Sequence, residues 1–290
     1  MSDVPGRLAV AKTYKLYIGG KFPRSESGRV FPVRGADGAF LANAAHASRK
    51  DVRDAVSAAR KAFGGWSGAT AHNRGQVLFR IAEVLEGRRE QFAAEVSAAE
   101  GISHDRSLSA VDTAVDRTVW YAGWTDKLAT VLGTTNPVAG PYFSFSVPEP
   151  TGVVGVLAPQ DSSLLGLVSV LAPVIAAGNT CVLITSAERP LPAITFAEVL
   201  ATSDVPGGVV NVLTGRAGEL GPWLASHADV DALDPTGADQ ELRGELARSA
   251  ADTVKRVLSA RREPDWTADP GLRRLREFTE IKTVWHPVGT

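Results

Sequence analysis

The segment Pro150-Thr-Gly-Val-Val-Gly-Val-Leu-Ala-Pro159 is the clearest indication of the architecture, because its apolar centre is bounded by turn-forming residues on both sides. Such a short apolar run is typical of a strand that is buried on both faces. A helix-forming segment follows over about Ser163 to Ala177, and a second apolar run covers Thr180 to Ile184. Strands that alternate with helices in this way predict a parallel sheet with helices on both faces.

The same alternation continues toward the C-terminus and ends in less regular sequence. The further predicted elements are a helix over about Leu191 to Thr202, a strand over Val209 to Leu213, a helix over about Ala217 to Ser226, a short strand around Val230 to Leu233, a helix over about Asp239 to Ala251, a last apolar run Val254 to Leu258, a helical turn or two over Leu272 to Phe278 and a strand over Ile281 to Trp285. The sequence therefore predicts a doubly wound α/β fold, and such sheets often bind nucleotides at the carboxyl ends of their strands.

The first half of the chain has a different character. Its predicted elements are a small antiparallel meander (Lys15 to Ile18, Lys21 to Phe22, Arg29 to Val33), a helix capped by Ser48 that stops at Gly64-Gly65, helices over about Ala71 to Leu85, Glu90 to Glu100 and Ser107 to Leu128, and a protruding hairpin or edge pair over Asn136 to Pro150. Proline and alternating aromatic residues favour the edge of a sheet in that last segment.

Composition excludes several classes of function. The net charge of -1 argues against nucleic-acid binding, and the single cysteine excludes a disulfide framework or a thiolate metal cluster. The five histidines have no metal-ligand spacing, so no metal site is expected. The apolar run Leu164 to Ala177 is too short to span a membrane, and Met1 to Lys12 lacks the apolar core of a secretory signal. These features predict a soluble, cytoplasmic protein.

Few residues of the sequence are candidates for a catalytic or ligand-binding role. Cys181 lies in a predicted buried strand and is interpreted as core, and Gly215, Gly218 and Gly221 are interpreted as turn glycines rather than a phosphate-binding fingerprint. The segment Asp161-Ser-Ser163 follows the first strand of the sheet. A serine there could cap the next helix, or Asp161 could contact a ligand.

Three motifs carry a resemblance to a known family: the opening stretch, Ala176-Ala-Gly-Asn-Thr-Cys-Val-Leu183, and Val205-Pro-Gly-Gly-Val-Val-Asn-Val-Leu-Thr-Gly215. Together they resemble the aldehyde dehydrogenase superfamily, in the family's order, from about Leu16 to Leu258. The resemblance implies a Rossmann-like cofactor domain with N-terminal helices and a small β oligomerisation flap. It also implies NAD- or NADP-dependent aldehyde oxidation on a cysteine in a separate catalytic domain.

Several positions depart from what the resemblance implies. Asp161 stands where the family has an oxyanion-binding asparagine, and Ile184 and Ala187 stand where a lysine and a glutamate hold the ribose. The family's Phe-Thr-Gly-Ser turn corresponds to Pro235-Thr-Gly-Ala238, and a later glycine corresponds to Leu242. Asp161, Thr236 and Gly237 are therefore only vestigial cofactor-binding candidates. We expect no cofactor, unless the degenerate site still binds NAD or NADP.

The resemblance also implies that a whole domain is missing. Ala260 lies near the position of the general-base glutamate, and no residue matches the nucleophile, so no catalytic residue is expected. We predict a cofactor domain (1–134 and 151–258), a linker replacing the catalytic domain (259–275) and a flap (135–150 and 276–290). The predicted oligomer-interface residues are Tyr142, Phe143, Phe145, Ile281, Thr283 and Trp285. The alternative is that Phe143, Phe145 and Trp285 cover one another within the monomer.

The sequence retains both segments of the flap but lacks the catalytic residues that the resemblance implies. This combination favours a pseudoenzyme that forms a hetero-oligomer with a full-length aldehyde dehydrogenase, or a homo-oligomer. Edge strands with free backbone groups suit such association. The alternatives are a nucleotide-binding module using Gly237 and the helix starts, and an aldehyde oxidoreductase component active only within a complex. Neither a nucleic-acid nor a membrane partner is expected.

Overall fold

The computed structural model describes residues 12–259 and 264–289. The strands are β1 (Thr13–Tyr14), β2 (Val30–Arg34), β3 (Phe40–Ala45), β4 (Thr134–Asn136), β5 (Tyr142–Pro150), β6 (Val153–Leu157), β7 (Thr180–Ile184), β8 (Val210–Leu213), β9 (Ala232–Asp234), β10 (Arg256–Val257) and β11 (Thr279–Pro287). The helices are α1 (Arg49–Ser67), α2 (Ala71–Glu86), α3 (Arg89–Glu100), α4 (His104–Ala122), α5 (Leu128–Leu132), α6 (Leu165–Ala176), α7 (Leu191–Ala201), α8 (Ala217–Ser226), α9 (Gln240–Ala251) and α10 (Arg273–Glu277).

The central feature is a parallel sheet in the order β10-β9-β6-β7-β8. Every residue of β6, β7 and β8 is buried, because helices cover both faces. Successive side chains of a strand point to opposite faces, so Val154 and Cys181 join the core under α2, α3, α4, α6 and α7, whereas Val153 and Val182 join the core under α1, α8 and α9. The predicted doubly wound α/β class is confirmed.

A second, antiparallel sheet is the flap, in the order β11-β5-β4. β5 and β11 pair along nine residues, from Tyr142 opposite Pro287 to Pro150 opposite Thr279. Asn179 joins the roots of both strands to the domain. Its side chain accepts from the Gly152 N–H at 2.8 Å and donates to the Phe278 carbonyl at 2.8 Å.

The N-terminal predictions need correction. The third sheet has the order β1-β3-β2, with β1 parallel and β2 antiparallel to β3. Of the predicted antiparallel meander, the first two pieces do pair, through an antiparallel bridge between Ile18 and Lys21. The third piece pairs instead with β3, which was not predicted. α1 does not stop at Gly64-Gly65 but continues to Ser67. A tertiary contact stabilises the extra turn of α1: the buried Trp66 indole donates a hydrogen bond to the Ile175 carbonyl at 3.0 Å.

The fourth predicted helix also differs, since α4 runs from His104 to Ala122 and a separate turn forms α5. Residues 260–263 of the predicted linker, which include Ala260, and residues 1–11 lie outside the described residues. In the part of the chain that the structure describes, no helix is long and apolar enough to cross a membrane.

Candidate functional site

The carboxyl edge of the parallel sheet is crossed by a polar network around Gln160. The Gln160 side chain donates to the Ala158 carbonyl at 2.8 Å and accepts from the Ala187 N–H at 3.1 Å. The Ser186 hydroxyl donates to the Gln160 carbonyl at 3.1 Å. The loops that follow β6 and β7 are thus bonded to each other. The N–H of Ala187, at one of the positions where the resemblance implies a ribose contact, is used within the protein.

Asp161 lies beside this network and is paired with Arg189. The guanidinium of Arg189 donates to Asp161 Oδ1 at 2.8 Å and to the Gln160 carbonyl at 3.2 Å. Because the Asp161 side chain is 81% exposed, the ion pair contributes at most about 1 kcal/mol. The neighbouring Ser162 hydroxyl accepts from the Gly166 N–H at the start of α6 at 2.8 Å. Asp161 therefore presents a carboxylate, which disfavours a developing oxyanion at this place.

The second vestigial candidate, Thr236, has its hydroxyl hydrogen bonded within the protein. Asp234, the last residue of β9, is fully buried. One nitrogen of Arg274 donates to Asp234 Oδ2, and the other donates to Thr236 Oγ1 at 2.9 Å. The Thr236 hydroxyl donates in turn to Asp234 Oδ1 at 2.5 Å. Its single proton is therefore not available to a phosphate oxygen.

Gly237 is needed for backbone packing. Its N–H donates to the Leu157 carbonyl at 2.9 Å, and a Cβ on this residue would lie 1.8 Å from the carbonyl oxygen of Ala158. No side chain fits at that separation, so the loop after β9 can approach the end of β6 only with glycine here. The close approach accounts for the glycine without a ligand.

Arg274 belongs to residues 264–278, which we call the plug segment. It lies between the core and the flap, and its side chains Leu275 and Phe278 are fully buried. They join the core that also contains α4 and α6, and burying each contributes about 1.5–3 kcal/mol. The plug segment is thus part of the folded domain, which the prediction of a linker did not foresee.

A second contact fixes the other end of the plug segment. Arg117 of α4 donates to the carbonyls of Trp266 and Ala268 at 2.7 Å and 2.8 Å. The adjacent Tyr121 is buried, and burial raises the pKa of its phenol to about 12, so the group stays protonated. Two arginines, one at each end, therefore hold the plug segment against the sheet and α4.

An open cleft of about 380 Å³ lies at the same edge, between the starts of α8 and α9. Three carboxylates line it: Asp239, Glu241 and Glu245. Leu242 lies among them, and its N–H donates to Asp239 at 2.8 Å. The cleft has the position of a nucleotide site in a doubly wound sheet but the wrong charge, because carboxylates repel phosphate.

The environment of Cys181, the only cysteine of the sequence, makes its thiol unreactive. Cys181 is fully buried in β7, and burial raises the pKa of its thiol far above the ordinary value. A nucleophilic cysteine needs exposure and a lowered pKa. Among residues 12–259 and 264–289, no group of three or more His, Cys, Asp or Glu side chains is placed to hold a metal ion.

The six predicted interface residues all lie on the paired strands β5 and β11. Some of them contact one another, since the rings of Tyr142 and Trp285 have centroids 5.8 Å apart and those of Phe143 and Phe145 5.6 Å apart. Thr283 is hydrogen bonded to Ser146 at 2.8 Å. Yet Phe143 is still 50% exposed and Trp285 59% exposed. The ring contacts within the monomer cover only part of the flap, and an interface role stays a prediction.

A family model described as the aldehyde dehydrogenase family matches residues 23–260. The chain belongs to the aldehyde dehydrogenase family. The putative aldehyde dehydrogenase DhaS of Bacillus subtilis is 33% identical over 249 residues, which are 84% of this chain and 50% of that protein. Retinal dehydrogenase 2 of Gallus gallus is 35% identical over 253 residues, 85% of this chain and 48% of its own length.

The fold comparison agrees with this membership. An aldehyde dehydrogenase from Bacillus cereus, solved as an NAD+ complex, matches with a TM-score of 0.79 and 28% identity over 85% of this chain and 50% of that one. This aldehyde dehydrogenase family chain spans about half the length of the curated relatives it matches. The Rossmann-like fold inferred from the resemblance is confirmed.

Sequence reasoning missed the polar residues that close the carboxyl edge, notably Gln160, Asp234 and Arg274. Asp234 offered a signal, since a carboxylate at the end of an apolar strand needs a partner in this aldehyde dehydrogenase fold. Its partner could not be found locally, because Arg274 is 40 positions away.

Proposed function

We propose that this protein is a non-catalytic subunit of the aldehyde dehydrogenase family that assembles through its flap with a full-length NAD(P)-dependent aldehyde dehydrogenase and stabilises or regulates it. The observation that carries the proposal is the connection between β10 and β11. In the sequence, residues 258–278 separate the last strand of the parallel sheet from the flap strand β11, and the plug segment packs against the core. The flap strands β5 and β11 pair along nine residues, whereas the one cysteine of the sequence, Cys181, is buried in the sheet.

The chemistry of the carboxyl edge supports the non-catalytic part of the proposal. An acyl-transfer site needs a reactive nucleophile and donors aimed at the developing oxyanion. Here the thiol of Cys181 is buried and protonated, and Asp161 contributes a carboxylate. The thiol therefore cannot act as a nucleophile, and Asp161 cannot take the oxyanion-binding role that the resemblance implies at its position.

The residues of this edge also do not fit a dinucleotide. The Thr236 hydroxyl donates its hydrogen bond to Asp234, and the Ala187 N–H donates to the Gln160 side chain. The cleft between α8 and α9 is lined by three carboxylates. Each unmade hydrogen bond to a ligand costs about 1–3 kcal/mol. We therefore propose that the chain binds no NAD or NADP, and the same charges disfavour a nucleotide-binding module.

The flap supports the assembly part of the proposal. Phe143, Phe145 and Val284 lie on one face of the flap, since Val284 is opposite Phe145 and His286 is opposite Phe143. Phe143 is 50% exposed, and Phe145 and Val284 are half-buried on the same face, so the three form an apolar patch of the kind that marks an interaction surface. A full-length relative carries the same kind of flap by the resemblance, so it is the partner with matching geometry. We expect both proteins in the cytoplasm.

Co-expression with a full-length aldehyde dehydrogenase from the same cells tests the proposal. We expect the two chains to co-elute in size-exclusion chromatography, and Phe143→Ser to abolish co-elution. Phe79→Ser is the matched control, because Phe79 is also 50% exposed but lies on α2, away from the flap. Loss of co-elution in both variants, or in neither, contradicts the role of the flap.

The chain by itself gives a second readout. We expect no NADH formation from aldehydes and no heat from millimolar NAD or NADP in calorimetry, while the co-purified enzyme gives both. The proposed non-catalytic role would be contradicted if the chain alone oxidised aldehydes, and if this activity remained in Cys181→Ala and after repurification.

A further inference from the structure

An exposed groove between α2 and α4 has no part in the function proposed above. Its volume is about 530 Å³. The two helices come close at Gly75 of α2, where a Cβ would lie 2.7 Å from the Thr125 hydroxyl oxygen. Ala122 and Gly123 at the end of α4 also line the groove. The floor of the groove is therefore built from small residues.

Two apolar side chains form the walls of this groove. Phe79 of α2 is 50% exposed, and Val119 of α4 is 38% exposed. Gln76 lies one turn before Phe79 on the same face of α2, because residues three apart are neighbours on a helix. The exposed phenylalanine is a projection, and the floor of glycine and alanine is a recess. A face that has both can pack against itself, which a two-fold dimer requires.

The charged residues of the groove lie at its two ends. Arg80, Glu83 and Asp204 are at one end, and His72, Asp126 and Lys127 are at the other. Each end contains one ion pair, Arg80 with Glu83 at 2.9 Å and Lys127 with Asp126 at 3.0 Å. Asp204 therefore leaves the first end with an excess negative charge, whereas His72 adds a hydrogen-bond donor to the second.

We propose that a second copy of this chain binds face to face on this groove, so that Phe79 of each copy lies in the groove of the other. The proposal goes beyond the function proposed above, because the groove lies on α2 and α4 and the dehydrogenase partner is assigned to the flap. The contact covers Phe79 and Val119 of both copies. It therefore removes from water two apolar side chains of each chain that are exposed in the monomer.

Charge selects the direction of the second copy. If the two grooves ran in the same direction, Asp204 would face Asp204 of the second copy, and Lys127 would face its Lys127. Such like-charge contacts disfavour an interface. If the grooves run in opposite directions, the acidic end of each copy faces the end that contains His72 and Lys127. The two-fold axis then crosses the middle of the groove, close to Gln76 and Phe79.

Sedimentation velocity of the full chain tests the contact. We expect the wild type to be a dimer of 30.6 kDa chains. Phe79→Ser should weaken the dimer about 30-fold or more, as truncation of a central aromatic side chain does. Asp204→Asn should weaken it about two- to fivefold, because rim charges contribute little and asparagine tolerates the φ of 60° at this position. Phe143→Ser, which changes the flap, should remain dimeric.

Cross-linking tests the arrangement of the two copies, because the thiol of Cys181 is buried and does not compete. Gln76→Cys lies close to the proposed axis, so a short bis-maleimide should join two copies and double the mass on denaturing gels. Ala94→Cys on α3 is the matched control, because Ala94 is also exposed but does not line the groove. We expect it to remain at the mass of one chain.

Three results would overturn this contact: a monomeric wild type, a dimer that survives Phe79→Ser, or equal cross-linking of the two cysteine variants. A wild type that is monomeric alone and needs Phe79 to co-elute with a dehydrogenase would assign the groove to that partner, and would overturn it as well. The proposed function is decided separately, by whether the chain co-elutes with a dehydrogenase and whether Phe143→Ser abolishes that co-elution.

Discussion

Replacing Arg274 with alanine leaves a buried carboxylate without its countercharge. The Asp234 side chain is 0% exposed and that of Arg274 11% exposed. Removing one partner of a buried ion pair costs about 3–5 kcal/mol. Asp234 Oδ1 keeps the N–H and hydroxyl of Thr236 at 3.1 Å and 2.5 Å, so we expect the lower end, about 3 kcal/mol. At about 2.1 cal/mol/K of unfolding entropy per residue, this lowers Tm by roughly 5 °C for 290 residues.

Urea and thermal unfolding followed by circular dichroism measure this loss. The matched control is Arg273→Ala in the same helix, where the side chain is 61% exposed and lies 3.9 Å from Glu277. That exposed pair contributes about 0–1 kcal/mol. Adding Asp234→Asn to Arg274→Ala should recover part of the loss by removing the unpaired charge. If Arg274→Ala costs no more than Arg273→Ala, the plug segment is not held by this ion pair.

Other predictions follow from single contacts. Gly237→Ala places a Cβ on the Ala158 carbonyl and should cost about 1–3 kcal/mol in urea unfolding, whereas Gly218→Ala, with open space around it, should be neutral or slightly stabilising. Burial raises the pKa of Glu95 above 4.5, so its ionisation destabilises the fold as pH rises through that raised value; Glu95→Gln should be more stable than wild type at pH 7, and the difference should vanish below pH 4.5. The thiol of Cys181 should resist a thiol reagent in the native protein and react fully in denaturant, and rapid native labelling would contradict its burial.

The parallel sheet could be predicted because its elements are locally consistent. β6 and β7 are short, mainly apolar strands that are buried on both faces, and the loops between them and their helices are marked by Gly, Pro and Asn. The pairing of β5 with β11 was anticipated through the resemblance. No local pattern joins segments so far apart in the chain.

The elements that were missed depend on tertiary contacts. β3 has the composition Phe-Leu-Ala-Asn-Ala-Ala, which does not indicate a strand, and it becomes one by pairing with β2. α1 passes through two glycines because Trp66 is held on the core. The ion pair between Arg274 and Asp234 at the carboxyl edge of the sheet could not be predicted. Arg274 belongs to a polar segment with no clear periodicity, 40 positions from Asp234 in the sequence.

The long separation of the flap strands bears on how the chain folds. Ser146 and Thr283, which face each other in the flap, are 137 positions apart, and the whole parallel sheet lies between them in sequence. Closing so long a loop is slow unless the intervening chain is already compact. We expect the flap to form last, after the sheet has brought its two roots together at Asn179. During synthesis on the ribosome, the aromatic strand β5 therefore has only β4 beside it in the flap until residues 279–287 have been made, and during that interval its unpaired edge is open to aggregation or to chaperone binding.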